Sequence, residues 1–138
     1  MLRHADYVVT SEDYPREATG QSSVEQGLER LLQSQALNAA WAVATLGARG
    51  CVAVCRPREE GGAWRRLTEP ACPLSAACVV DTTGAGDAFI SGLALAIVRG
   101  LPLDRALSIA CWVGAQNCRM LGARGGMPTR KQLLEAFP

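Results

Sequence analysis

An α/β fold, a mostly parallel sheet flanked by helices, is predicted by three features of this chain. Short apolar runs of strand length alternate with longer runs of helical periodicity. Glycine-rich turns fall at the junctions, above all in Asp81-Thr82-Thr83-Gly84-Ala85-Gly86-Asp87. The 138 residues are 49% hydrophobic and 20% charged with a formal net charge of +1, the make-up of one ordinary domain able to bury a core.

Asp6 to Thr10 reads as a short strand around Tyr-Val-Val, and Ser11 offers an N-cap for a short helix ending near Gly20. Ser22 or Ser23 caps a longer helix to about Gln35, with Val24, Leu28, Leu31 and Leu32 on one face. Trp41 to Leu46 and Cys51 to Cys55 form two strands joined by Gly47-Ala48-Arg49-Gly50 as a hairpin. Pro57 to Gly62 is a polar loop, and Trp64 to Leu67 forms a brief edge strand. Ala77-Cys78-Val79-Val80 has the composition of a short buried strand. Three helices follow, near Gly86 to Arg99, Leu103 to Met120 and Thr129 to Phe137.

Several function classes are disfavoured. The balanced charge gives no basic face for nucleic acid or an anionic membrane. No apolar run reaches membrane-spanning length, and the amino terminus lacks signal-peptide form, so a cytoplasmic location is expected. Cys51, Cys55, Cys72, Cys78, Cys111 and Cys118 contain no Cys-x-x-Cys pair and read as reduced core thiols. With His4 the single histidine, a zinc site is discounted.

The chemistry concentrates at Asp81 to Asp87. Gly84 and Gly86 remove side chains where the backbone must turn, so the N–H groups at a helix start can point at one anion with the helix dipole behind them. Asp87 stands beside that position. Its charge repels a phosphate, so it makes sense as the group that accepts a proton from a hydroxyl attacking phosphorus. A structural glycine turn with a capping aspartate would account for one Gly and one Asp.

This heptad, continued by Ala88-Phe89-Ile90-Ser91-Gly92-Leu93-Ala94, resembles the C-terminal signature of the ribokinase (phosphofructokinase-B) family of carbohydrate kinases, matching it at every specified position. The resemblance implies a ribokinase-like fold of which residues 1–138 are the C-terminal nucleotide-binding and catalytic part, the N-terminal sugar-binding and lid part being absent. It implies transfer of a phosphoryl group from ATP to a sugar hydroxyl, with Asp87 as base and the backbone of Gly84, Ala85 and Gly86 as the anion hole. By itself the turn Thr45-Leu46-Gly47-Ala48-Arg49-Gly50 is a common hairpin. Family members carry a similar Thr-x-Gly-x-x-Gly along the nucleotide phosphates, which makes Thr45, Gly47 and Gly50 nucleotide-site candidates. Mg2+ would accompany the ATP. The resemblance adds K+ as a further cation, held by Asp81, Thr83 and carbonyls of the loop Leu121 to Pro128, a loop that also reads as a helix C-cap with a proline stop.

The chain departs from the family in two ways. Where many members have Asn-x-x-Glu after the first strand, it reads Ser11-Glu12-Asp13-Tyr14. Ser11-x-Asp13 and the Cys111/Cys118 pair are similar to a ketohexokinase-like branch, in which the second cysteine lies near the adenine; a buried thiol is the alternative for Cys118. The substrate-holding motifs of the other half are absent, so the isolated chain is expected to be inactive. The alternatives are a non-catalytic nucleotide-binding module, a truncated fragment, or a chain completed by an oligomeric partner or a complementing N-terminal half.

Overall fold

The computed structural model describes residues 2–59 and 61–138, and the chain divides between Thr68 and Glu69 into two compact units. The first unit opens with strand β1, Tyr7–Ser11, then helices α1, Asp13–Thr19, and α2, Val24–Ser34. Strands β2, Trp41–Thr45, and β3, Cys51–Cys55, follow, and β4, Arg65–Glu69, completes a sheet of order β1-β2-β3-β4.

The sheet is mixed. β1 pairs with β2 in parallel, Val9 opposite Val43, while β2 and β3 form the antiparallel hairpin expected from their spacing, Thr45 opposite Cys51. In both hairpin strands the first four residues are buried, as near-continuous small and β-branched runs require. Helix α2 turns Leu28, Leu31 and Leu32 inward at three- and four-residue spacing, onto Val8, Ala42, Ala44, Val52 and Val54. Its start is fixed by Ser23, whose side chain accepts from the Gln26 N–H at 3.1 Å. At its end the Arg56 guanidinium donates to the carbonyl of Leu32 in the last turn and to those of Ala36 and Ala39 just beyond it.

Ser11 does not cap α1. It is the last residue of β1, and the N-cap position falls to Glu12, which makes no side-chain cap. Thr10 and Ser11 are carried in register along β2 opposite Ala44 and Thr45, so sheet pairing overrides the capping preference.

The second unit holds α3, Ala85–Val98, α4, Leu103–Asn117, and α5, Arg130–Ala136. Helices α3 and α4 meet closely because Gly92 faces Val113 and Ala110, where an added Cβ would sit 3.0 to 3.2 Å away. Phe89, Leu93, Ala96, Leu107, Ala110 and Val113 are buried. A capping box, Thr129 with Gln132, starts α5, and Phe137 just beyond it meets Trp112 edge to face at 5.7 Å.

The strand expected at Ala77 to Val80 is not formed. Ala76–Cys78 is a 3-10 turn, closed by the Cys78 N–H donating to the Ser75 carbonyl at 2.8 Å. Val79 is extended, but Val79 and Val80 are 43% and 59% exposed. The N–H groups of Val80 and Asp81 both donate to the Cys118 carbonyl, at 2.8 and 3.2 Å. A four-residue apolar run supplies no register of its own, and here it is held by the carbonyl end of a helix rather than by another strand.

Candidate functional site

Each predicted residue lies in one of the two units. Asp81, Thr83, Gly84, Ala85, Gly86, Asp87 and Cys118 belong to the second, and Thr45, Gly47 and Gly50 to the first.

In the second unit Gly84 is the N-cap of α3, with φ 75° and ψ 3°, a left-handed conformation that favours glycine. The fit is also steric. A Cβ there would lie 2.7 Å from the Ala123 carbonyl oxygen and 2.8 Å from Ala123 Cα, so the loop after α4 packs against the signature backbone. Gly86 differs, since a Cβ on it would meet nothing within 4 Å. Space therefore stands open beside Gly86 in the first turn of α3.

The first-turn amides are not equivalent. The Ala85 N–H donates to the Thr82 carbonyl at 3.1 Å, which closes the turn and withdraws Ala85 from the anion hole expected of it. A helix start leaves its leading N–H groups without intrahelical acceptors, and Gly86 and Asp87 carry the ones that remain here. Asp87 is exposed in that same turn, and among the described residues its carboxylate has neither a hydrogen-bond nor an ion-pair partner. The arrangement can therefore offer two amides and a helix dipole to an anion while keeping an uncommitted base at its rim.

Asp81 ties the signature to the loop after α4. Its Oδ1 accepts from the Thr83 N–H at 2.9 Å and its Oδ2 from the Gly122 N–H at 2.8 Å. The hydrogen bonds from Thr83, and then that from Gly122, hold the carboxyl below the usual range, so it stays ionised. Burial, and next the Asp81 charge, push the half-buried Cys118 thiol up, and its Sγ donates to the Gly114 carbonyl at 3.4 Å. That keeps Cys118 a structural thiol rather than a reactive one.

Asn117 escaped the reading of the sequence. It is fully buried at the end of α4, its Nδ2 donates to the Thr83 carbonyl at 3.1 Å, and its Oδ1 has no hydrogen-bond partner. The available signal was a polar residue at i+7 and i+4 from Ala110 and Val113, on the buried stripe of an apolar helix.

In the first unit the β2–β3 turn is a 3-10 turn, Gly47–Arg49, with Gly47 at φ 59° and Gly50 at φ 93°. The Leu46 N–H donates to the Gly50 carbonyl at 2.7 Å, and Thr45 Oγ1 donates to the Thr10 carbonyl at 3.3 Å, so the turn is braced from both sides. Arg49 is held by an ion pair with Glu12, and Asp13 pairs with Arg16 at 2.5 Å. The two carboxylates that follow β1 are thus engaged with arginines. A Cβ on Gly47 would meet nothing. Gly47→Ala should therefore cost backbone strain alone, about 1–2 kcal/mol, read as a lowered denaturation midpoint.

Among the described residues no three His, Cys, Asp or Glu side chains gather where a metal ion could be held. No helix among them is long and apolar enough to cross a membrane. A mainly apolar groove of about 400 Å³ lies between α3, α4 and α5, around Leu95, Ile109, Met127 and Leu133, and Asp87 is not part of it.

Comparison with known proteins fits this geometry. The model of the pfkB family carbohydrate kinases matches residues 1–130. The chain is 31% identical over 128 residues to an ATP-dependent 6-phosphofructokinase of Thermoanaerobacterium thermosaccharolyticum, covering 93% of this chain and 36% of that protein. The structure of Arabidopsis thaliana ribokinase complexed with ribose and ATP superposes with a TM-score of 0.80 at 27% identity, over 97% of this chain and 41% of that one. A Vibrio cholerae fructokinase double mutant in its fructose-, ADP- and potassium-bound form gives 0.74 at 27% identity, over 95% and 40%. The chain thus spans well under half the length of each of these relatives. With the complete signature heptad at the start of α3, a ribokinase-like fold and a family match over nearly all its residues, the chain belongs to the pfkB family of carbohydrate kinases.

Proposed function

We propose that this chain is the C-terminal, nucleotide-side part of an ATP-dependent carbohydrate kinase, and that residues 1–138 carry the catalytic base and the anion site but not the sugar clamp. One observation carries the reading: an uncommitted carboxylate, Asp87, in the first turn of a helix whose Gly86 has open space beside it. Asp87 removes the proton from the attacking sugar hydroxyl, a role typically worth about 10²–10⁴-fold in rate. The N–H groups of Gly86 and Asp87 bind the charge that develops on the transferring phosphoryl oxygens. No protein nucleophile is required, so the step is direct in-line transfer.

ATP lies along Thr45 to Gly50, where Gly47 and Gly50 let the backbone follow the phosphates and Arg49 can exchange Glu12 for a phosphate oxygen. Mg2+ arrives as the nucleotide complex, where it neutralises phosphate charge. The balanced charge and the thiols suit a cytoplasmic kinase.

Phosphoryl transfer depends on positioning, so this chain alone should not turn over. A non-catalytic nucleotide module or a broken fragment is the competing reading, favoured by the absence of Asp87 from the groove between α3, α4 and α5. Titration calorimetry with Mg-ATP decides between them. Saturable 1:1 binding is expected, and sugar-dependent ADP release should follow on adding an N-terminal half. A folded chain that binds no nucleotide would remove the proposal.

A further inference from the structure

We propose that Asn117 is a positioning residue for phosphoryl transfer, its buried amide locking the peptide between Thr83 and Gly84 in the orientation that sets the turn ahead of the α3 amides. The inference rests on the kinase reading for its effect on rate, and on the fold alone for its effect on the turn. Its starting point is that Asn117 is fully buried yet only half satisfied. Nδ2 donates to the Thr83 carbonyl at 3.1 Å, and Oδ1 has no hydrogen-bond partner. A buried acceptor without a donor costs stability, so a side chain of leucine's shape would suit the end of α4 better. What an apolar side chain cannot supply is the donor, and that donor goes to the signature.

The carbonyl it holds lies at the centre of a turn. The Ala85 N–H donates to the Thr82 carbonyl at 3.1 Å, so Thr83 and Gly84 are the central residues between them. Gly84, at φ 75° and ψ 3°, has the angles that the third residue of a type II turn requires. Types I and II share their ends and differ in which way the central peptide plane faces, since rotating that plane converts one into the other. Here the plane carries the Thr83 carbonyl on one edge and the Gly84 N–H on the other, pointing opposite ways in a trans peptide. Asn117 grips the carbonyl edge from α4. Among the described residues the Gly84 N–H has no acceptor, so no hydrogen bond holds the plane from its other edge. Glycine makes the left-handed angle accessible but does not enforce it.

The rest of that helix end is fitted to the same turn. An added Cβ on Gly114 would sit 3.2 Å from the Ala85 carbonyl oxygen, and the N–H groups of Val80 and Asp81 donate to the Cys118 carbonyl. All of these residues belong to one unit of the fold. With the plane flipped, a carbonyl would stand where the Gly84 N–H stands, reversing the dipole just ahead of the amides of Gly86 and Asp87. A step that depends on positioned donors should then slow about 10- to 100-fold. KM for ATP should change less, because most of the nucleotide lies along Thr45 to Gly50.

The test compares Asn117→Leu, which keeps the shape and removes the donor, with Val113→Ala, which opens a cavity on the same helix where it packs on Gly92. In this chain Asn117→Leu should leave the denaturation midpoint unchanged or raise it, while the Ala85 N–H, whose bond closes the turn, exchanges with solvent at least 10-fold faster. In a complete enzyme that includes this chain, the same substitution should lower kcat about 10- to 100-fold with a smaller change in KM for ATP. Val113→Ala should lower the midpoint and keep kcat near that of the wild type. Should leucine prevent folding, Asn117→Ala carries the same readouts. Unchanged exchange at Ala85, or unchanged kcat, overturns the proposal. So does a Val113→Ala enzyme that loses kcat equally, the result expected if any loosening of α4 slows the step. Asp87→Asn in the same enzyme keeps the two readings apart: a loss of rate there beside a wild-type-like Asn117→Leu sinks the positioning role and leaves the kinase reading standing.

Discussion

Asp87→Asn, introduced into a complete enzyme that includes this chain, should lower sugar phosphorylation by about 10²–10⁴-fold while ATP affinity holds or tightens slightly. The amide keeps the size and polarity of the carboxylate but accepts no proton at neutral pH. It also removes a negative charge beside the bound anion, which is why binding should not suffer. A control sits in the same unit, since Asp104 is likewise an acidic residue in the first turn of its helix. Had Asp87 only complemented the helix dipole, both substitutions would cost about 0.3–1 kcal/mol of stability and neither would touch the rate. Steady-state kinetics on the pair therefore separates a base from a helix-start ornament. Unchanged kcat in Asp87→Asn removes it from the mechanism.

Gly84→Ala and Gly86→Ala should have opposite consequences although they lie two residues apart. At Gly84 alanine must adopt φ 75°, and its Cβ would collide with Ala123 backbone at 2.7–2.8 Å. Left-handed strain of about 1–2 kcal/mol and overpacking of about 1–3 kcal/mol together suggest a loss near 3 kcal/mol. At Gly86 the backbone is helical and the space is open, so alanine should be neutral for folding or stabilise by up to about 1 kcal/mol. The same methyl group would lie in the first turn of α3, beside the amides proposed to hold the anion. Chemical denaturation should thus report on Gly84, and nucleotide titration on Gly86. A Gly86→Ala protein that binds ATP as the wild type does would place the phosphates elsewhere.

What the chain reveals in advance follows from how local each interaction is. The β2–β3 hairpin was legible because two continuous apolar runs flank a turn with two glycines, and pairing of neighbours in sequence needs no distant partner. Helix α2 was legible from Leu28, Leu31 and Leu32 and from a serine cap expected at Ser22 or Ser23, which the structure gives to Ser23. The signature could be placed at a helix start because its glycines and its apolar continuation are contiguous. Ala77 to Val80 misled because an apolar tetrapeptide is compatible with several partners, and the one chosen, the Cys118 carbonyl, lies 38 residues beyond Val80. Ala85 was expected to serve the anion, yet a local turn to Thr82 takes its N–H. Asn117 and the Glu12–Arg49 pair were hidden for the same reason as Val80, since each is joined to a residue more than thirty positions away.

Residue-resolved amide NMR during titration of the chain with a non-hydrolysable ATP analogue and Mg2+ tests most directly whether the leading amides of α3 receive the transferred group. The expected result is saturable shifts at the N–H of Gly86 and Asp87, together with Gly47 to Gly50, and a smaller change at Ala85, whose hydrogen already has an acceptor. Shifts that leave Gly86 and Asp87 still while other surfaces respond would contradict it.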